Sequence, residues 1–449
     1  MDSRIPSKRS GVLARFRVAL LAAAALVVAV AHGHGHARVE ATRVSLLHYW
    51  TGAFSGGISE LVEAFNEGNA SMRVDASGLE HESFKVGIKG MLHEGRAPDI
   101  FSYWAGARVN SLVEAGYLAP IDDVWAESGL NGLFTKTVAQ ACTYGGRKYA
   151  VPVTQHYVAF FYNKKVFDGL GLAPPRTWRE FLDVCARLKM AGVTPLALGT
   201  RELWPAQFWF DFLLLRTAGP EYRGRLMEGA ASFTDPQVER TFALWKALLD
   251  EGYFNRAPEK SDWADAARMV REGEAAMTLM GSWIIGLYTG QMGWEEQSGF
   301  DFFPFPTIDA GVPQSALGPI DVFVATNGGK AEDSKKALAF FAQLGPQMKM
   351  SEGSGAIAPN IRVPRKFYSP LRQRIRQAIL DAPHWAFAFD LATPPAVADI
   401  GLGTFSAFLR NPDNARQILL NTQKRVESFS TPQPSETPAD PKLDSDRRR

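Results

Sequence analysis

Between Arg43 and Trp104 the chain reads strand, helix, strand, helix, strand, an order that few folds accept. Arg43 to Trp50 is an apolar run flanked by turn signals. Ser55-Gly56-Gly57 then leads into Ile58, Leu61, Val62 and Phe65, spaced i, i+3, i+4, i+7 as on one face of a helix. Met72 to Ala76 reads as the next strand, Phe84 to His93 as a helix stopped by Gly95, and Asp99 to Tyr103 as a third strand. The alternation predicts an α/β fold with a largely parallel sheet and helices on both faces. Open sheets of this kind hold ligands beyond the carboxyl ends of their strands. The segment GRAPDIFSYWAGARVNSLVEAGYLAPID, Gly95 to Asp122, delivers Tyr103 and Trp104 to such an end. A crevice that holds a small molecule is the expectation.

The middle of the chain keeps the style without repeating the sequence. Thr177 and Glu180 make a capping box, and the helix runs through Phe181, Cys185 and Leu188 to Gly192. Thr194 to Leu198 is a strand. Asp235-Pro236 is an N-cap and first-turn pair for a helix with the stripe Val238, Phe242, Trp245 and Leu249. Ala275 to Met280 and Phe300 to Phe305 read as strands, and Lys335 to Leu344 and Leu371 to Leu380 as helices.

The first residues predict export. Arg4, Lys8, Arg9, Arg15 and Arg17 form a basic region before the apolar run Val18 to Ala31, which is shorter than the ~20 residues a membrane span needs. Cleavage is expected after Ala31, Ala37 or Ala41, and no cysteine follows the run to carry a lipid anchor. The mature protein is thus expected in the periplasm. About 400 residues remain, enough for two domains or more. The net charge of +2 includes the basic leader, and no Lys/Arg run interleaved with aromatics suggests nucleic acid. Cys142 and Cys185 are the two cysteines; they read as unpaired buried thiols. Past about Ser428 the chain is rich in Pro, Ser and charge, so residues 429–449 read as a disordered tail.

Motifs for catalysis are missing: no G-x-S-x-G, HExxH, P-loop or GxGxxG after a strand occurs. No enzyme activity, cofactor or metal is expected. Glu80-His81-Glu82 reads as an exposed polar loop, and the His32, His34, His36 tract abuts the export signal. The aromatics carry more. Trp50, Trp104, Trp204 and Trp283 lie just past strand ends or in Gly- or Pro-marked turns, whereas Trp178 and Trp245 sit in helices as core. A flat indole suits the C–H face of a pyranose, with polar neighbours for its hydroxyls.

Taken together, GRAPDIFSYWAG, GGRKYAVPV, AFFYNKKVF, PRTWREFL, MTLMGSW and FDFFPFP, in this order, resemble the extracellular solute-binding proteins of carbohydrate ABC importers, the family that includes maltose-binding protein. The resemblance implies a two-lobe periplasmic-binding-protein-like fold with a multi-segment hinge and a ligand cleft. It places residues 1–41 in the signal peptide and flank, 42–151 and 307–345 in lobe one, and 154–303 and 360–428 in lobe two. Crossings are implied near Val151 to Val153, Phe303 to Thr307 and Leu344 to Asn360. The implied ligand-binding residues are Trp50, Thr51, Trp104, Arg108, His156, Trp204, Trp283 and Asp321. The sequence departs from the maltose binder at Ala107, where that protein has an acid, and at His156, where relatives often carry one.

Lobe closure on a mono- or oligosaccharide, and delivery by a monomer to ABC permease subunits in the inner membrane, are the implied function and partners. Two rivals stand beside it. One is the same fold binding a polyamine, an amino acid, a phosphorylated glycerol or iron, with Arg108 available to an anionic solute. The other is an exported glycoside-active enzyme, which needs two convergent carboxylates such as Asp321 and Asp390.

Overall fold

A computed structural model describes residues 41–430 apart from Gly329. The expected export signal up to Glu40, the histidine tract and the tail from Thr431 lie outside the described residues.

The opening alternation folds as its periodicity predicts. Strand β1 (Thr42–His48), helix α1 (Ser55–Gly68), β2 (Met72–Gly78), α2 (His81–His93) and β3 (Ile100–Trp104) come in that order. Helix α1 buries Ile58, Leu61, Val62 and Phe65, the stripe read from the sequence. With β4 (Ala150–Gln155) and β10 (Ile320–Ala325) these strands form a five-stranded sheet in the order β2-β1-β3-β10-β4. Strands β1 and β3 are parallel, but β10 runs antiparallel to both β3 and β4. The sheet is therefore mixed. Strand β10 arrives from the other lobe, so no crossover helix obliges it to run parallel.

A second sheet is built from β5 (Val158–Asn163), β6 (Thr194–Ala197), β7 (Ala275–Gly281) and β8 (Phe300–Phe303), in the order β8-β5-β7-β6. Here β6 and β7 are parallel and the other pairings antiparallel. A short parallel pair, β9 (Ser315–Leu317) with β11 (His384–Ala386), completes the strands used below. Each large sheet has its own core. Val44, Phe101, Val151 and Phe323 belong to one cluster, and Phe160, Phe181, Trp209, Met277 and Phe305 to the other.

The chain passes between the sheets in three places. It leaves the first sheet at Gln155 and enters the second at Val158, so His156 and Tyr157 are the crossing. Val151 to Val153, where the crossing was expected, lie inside β4. The return falls at Gly318-Pro319, because Phe305, Ala316 and Leu317 still pack in the second core and Ile320 in the first. This is later than Phe303 to Thr307; the apolar strand β9 pairs with β11 before the chain goes back. The third passage follows α8 (Leu344–Ser354), which packs on α1, and Ile357 bonds Gln155 in both directions.

Local signals are mostly obeyed. Thr177 and Glu180 form the full capping box of α4 (Trp178–Met190), which buries Phe181, Cys185 and Leu188. Helix α6 (Pro236–Asp250) buries Val238, Phe242 and Trp245, but Leu248 rather than Leu249 completes its stripe. Asp235 is its N-cap residue with Pro236 in the first turn, although the Asp235 carboxylate accepts from Tyr222 and Ser232 rather than from the helix's first N–H groups. Helix α11 (Ala415–Ser430) carries on two residues past the change in composition. Both cysteines are free and buried, one in each core.

Candidate functional site

The first face of the site follows from strand register. Parallel pairing of β1 with β3 ends both strands at one edge, where Tyr49 and Trp50 follow β1 and Trp104 closes β3. Antiparallel β10 begins at that same edge. Its second residue, Asp321, lies opposite Trp104 on one side and Thr154 on the other, and a register shift between Asp321 and Val322 re-aims the strand there. The Thr154 hydroxyl donates to Asp321 Oδ2, and His156 Nε2 lies 3.3 Å from the same oxygen. Tyr49 stacks on Trp104 with centroids 4.5 Å apart and planes 14° from parallel. Burial, and after it the Asp321 charge, pushes the Tyr49 phenol well above its usual range.

Loops make the second face. Parallel β6 and β7 finish at a common edge, so the segments after them emerge together. Trp283 follows β7, and its ring lies so close to Gly281 that a Cβ there would be 1.9 Å from it. Trp204 follows β6. Its N–H donates to the Glu202 carbonyl at 2.7 Å, closing a γ-turn whose central residue, Leu203, has φ 63° and ψ −42°. The indoles of Trp204 and Trp283 meet edge to face at 5.8 Å, and the His156 ring stands edge-on to Trp283 at 5.4 Å. His156 Nδ1 lies 3.2 Å from the Ser282 hydroxyl, so this histidine touches both faces from the crossing itself.

Between the faces lies a cavity of about 250 Å³. All eight residues singled out from the sequence line it: Trp50, Thr51, Trp104, Arg108, His156, Trp204, Trp283 and Asp321. Arg108, at the start of α3 (Ala107–Glu114), pairs with Asp390 of α9 (Phe389–Ala392) at 2.9 Å, both side chains buried. Burial works against the Arg108 charge, but Asp390 and Tyr103 outweigh it and hold its pKa above the usual value. Sequence reasoning missed Tyr49, Lys85, Gln207 and Phe208 as lining residues, and weighed Asp390 solely as an enzyme's carboxylate. Tyr49 carried a legible signal, an aromatic at the end of a strand.

Glu80-His81-Glu82 is not a loop. Glu80 caps α2 by accepting from the backbone N–H of Glu82 and Ser83, and both Glu80 and His81 line the cavity. The His81 ring lies 5.1 Å from Trp104 and 6.5 Å from Trp204, so it sits where the two faces approach. Burial, reinforced by Lys85, lowers the His81 pKa. Glu82 accepts from Lys85 at 2.8 Å; although burial opposes it, His81 and Lys85 hold that carboxyl down to about 2. Among the described residues no group of three or more His, Cys, Asp or Glu is placed to hold a metal, and no helix is long and apolar enough to cross a membrane.

Comparison with known proteins gives this arrangement a context. An ABC transporter extracellular-binding protein of Pyrococcus horikoshii is 29% identical over 342 residues, 74% of this chain and 75% of its own. The multiple sugar-binding protein of Streptococcus mutans is 21% identical over 348 residues, 75% of this chain and 81% of its own. Among solved structures, a bacterial solute receptor described as preferring β-D-galactopyranose superposes with a TM-score of 0.79 at 23% identity. A chitin oligosaccharide binding protein superposes with 0.78, also at 23%. Both alignments cover 87% of this chain and all of the other. These structures share the two-lobed fold. The family model described as bacterial extracellular solute-binding protein matches residues 51–348, which take in most strands of both sheets, and the chain belongs to that family.

Proposed function

We propose that this protein is the exported sugar-binding component of an ABC importer. It takes a sugar between its lobes, closes on it and hands it to permease subunits in the inner membrane. One observation carries the reading: indoles from both sheets, with a buried carboxylate between, converge on one cavity. Sugar-binding relatives within the family support it. Trp50, Thr51, Trp104, Arg108 and Asp321 act from lobe one and Trp204 and Trp283 from lobe two, with His156 at the crossing. Ligand stabilises the closed state through contacts that the open state lacks. Affinities of about 10⁻⁸ to 10⁻⁵ M, roughly −7 to −11 kcal/mol, suit such a receptor. The protein works as a periplasmic monomer after loss of its signal, without a lipid anchor. Binding without turnover is supported by the carboxylates. Asp321 is held by Thr154 and His156 and Asp390 by Arg108, so neither is placed as the free proton donor that glycoside cleavage needs.

The test is a thermal-shift screen of the protein against mono- and disaccharides, polyols and polyamines. Ligand at a hundred times Kd adds about 2.7 kcal/mol of stability. A sugar response that vanishes in Trp204→Ala and Trp283→Ala supports the reading. Response to a polyamine or amino acid with silence across sugars would overturn it.

A further inference from the structure

Every charged side chain that lines the cavity already has a partner. Its two cations are already engaged, Lys85 with Glu82 at 2.8 Å and Arg108 with Asp390 at 2.9 Å. Its three carboxylates are held as well: Glu80 by backbone N–H groups, Asp321 by Thr154 and His156, Asp390 by Arg108. What remains for a ligand is neutral in kind. Facing it are the rings of Trp204 and Trp283, and Trp204 Nε1 is buried with no hydrogen-bond partner. The Asp321 and Asp390 carboxylates also keep acceptor capacity beside them.

The walls are equally definite. Gly106, with φ 109°, brings lobe-one backbone so close to α9 that a Cβ would lie 2.3 Å from the Leu391 carbonyl oxygen. The Arg108–Asp390 pair continues this wall into the cavity. Opposite, Phe54 presses on Gly286, where a Cβ would lie 2.9 Å from its ring. Among the lining residues Glu80 alone is exposed, so the opening lies at the start of α2. The volume of about 250 Å³ falls below the ~300 Å³ at which pockets for drug-sized ligands begin.

Resting on the reading that the cleft binds sugar, we propose that it takes one uncharged sugar ring, and that the buried Arg108–Asp390 pair keeps phosphorylated and longer ligands out. A phosphate recruiting Arg108 would strand the Asp390 carboxylate in a buried site, an arrangement that costs more than the new contact returns. A hydroxyl asks for no such exchange. It accepts from a free N–H and donates to a carboxylate already fixed in place.

Calorimetric titration of the protein tests this with hexoses and pentoses, their di- and trisaccharides, their phosphate esters and sn-glycerol 3-phosphate. The expected result is a monosaccharide that binds at least about tenfold tighter than its own phosphate ester, a difference of ~1.4 kcal/mol. Di- and trisaccharides should bind at least about tenfold more weakly than the monosaccharide, again ~1.4 kcal/mol. A trisaccharide bound as tightly as its monomer, or a phosphate ester preferred over the neutral sugar, overturns the inference and leaves the importer reading standing. Silence to every sugar overturns both. In Asp390→Asn, which frees the Arg108 charge, the preference should move at least about tenfold toward the phosphate ester; an unchanged ratio removes the pair as the determinant. Should that variant not fold, the ratio measured on the unaltered protein decides alone.

Discussion

The two faces of the cleft reach a similar result by different means. Lobe one presents Tyr49, Trp50, Trp104 and Asp321 from strand ends, where register fixes each position and ring stacks on ring. Lobe two presents Trp204 and Trp283 from segments after strands, held by a γ-turn at Leu203 and by a ring folded over Gly281. One face is part of a core. The other also packs on a core, with Trp204 a buried member of it, but its geometry is stored in unusual backbone. The lesson is that a binding surface can be rigid through packing or through local conformation, and the two kinds respond differently to mutation.

The largest expected difference is in stability. Trp104 is buried and packs against Tyr49, Phe84 and His81, so Trp104→Ala should cost ~3–5 kcal/mol of unfolding free energy. Trp204→Ala should fall at the low end of that range, because Trp204 meets Phe208, Trp283 and His81 edge to face and has no stacked ring to lose. Denaturant midpoints measured side by side check this, and equal losses would break the comparison.

Next in size is a pH effect with opposite signs beneath the two faces. Burial lowers His48, at the end of β1, to about 4, against a weaker opposing bond to the Trp50 backbone. The folded state thus resists its protonation. Stability from His48 is complete above ~6.5 and is lost as pH falls toward 4, about 3 kcal/mol in all. Asp211 lies in α5 (Gln207–Thr217), the helix that also carries Gln207 and Phe208. Burial raises its carboxyl to about 6 despite Arg223, so its contribution is complete below ~3.9 and fades as pH rises through 6. Subtracting the stability curve of His48→Gln from that of the parent should leave a slope rising with pH between 4 and 6.5. A flat difference would remove His48 from the account.

The smallest effect sharpens the contrast most. At Leu203, φ 63° strains a branched side chain but not glycine, so Leu203→Gly should leave stability within about 1 kcal/mol of the parent. Sugar affinity should nonetheless weaken by a few-fold, under ~1.4 kcal/mol, because Trp204 is no longer aimed in advance. Unchanged affinity would mean that packing, not the turn, positions the indole.

What was readable in the sequence divides along the same line. Strand ends announce themselves by period and by the turn residues that follow, so Trp50, Trp104 and Asp321 could be named from composition, motif and resemblance. Asp390 could not, because its partner Arg108 is 282 residues away and nothing local links them. The direction of β10 was hidden too: a six-residue strand, apolar but for Asp321, looks the same whichever way it enters a sheet. Glu80 was misread for a related reason. A carboxylate that caps a helix and one that sits in a polar loop have the same neighbours in sequence and differ in the backbone they bond.

The placement of the thiols has a practical consequence. Cys142 and Cys185 are buried in separate cores, and burial pushes both up, Cys142 to about 12, so neither presents a thiolate near neutral pH. A cysteine installed at an exposed position beside the opening, such as Glu80, would be the single reactive sulfur without removal of either native one. A dye attached there would sense the approach of the lobes directly, with both native cysteines left in place.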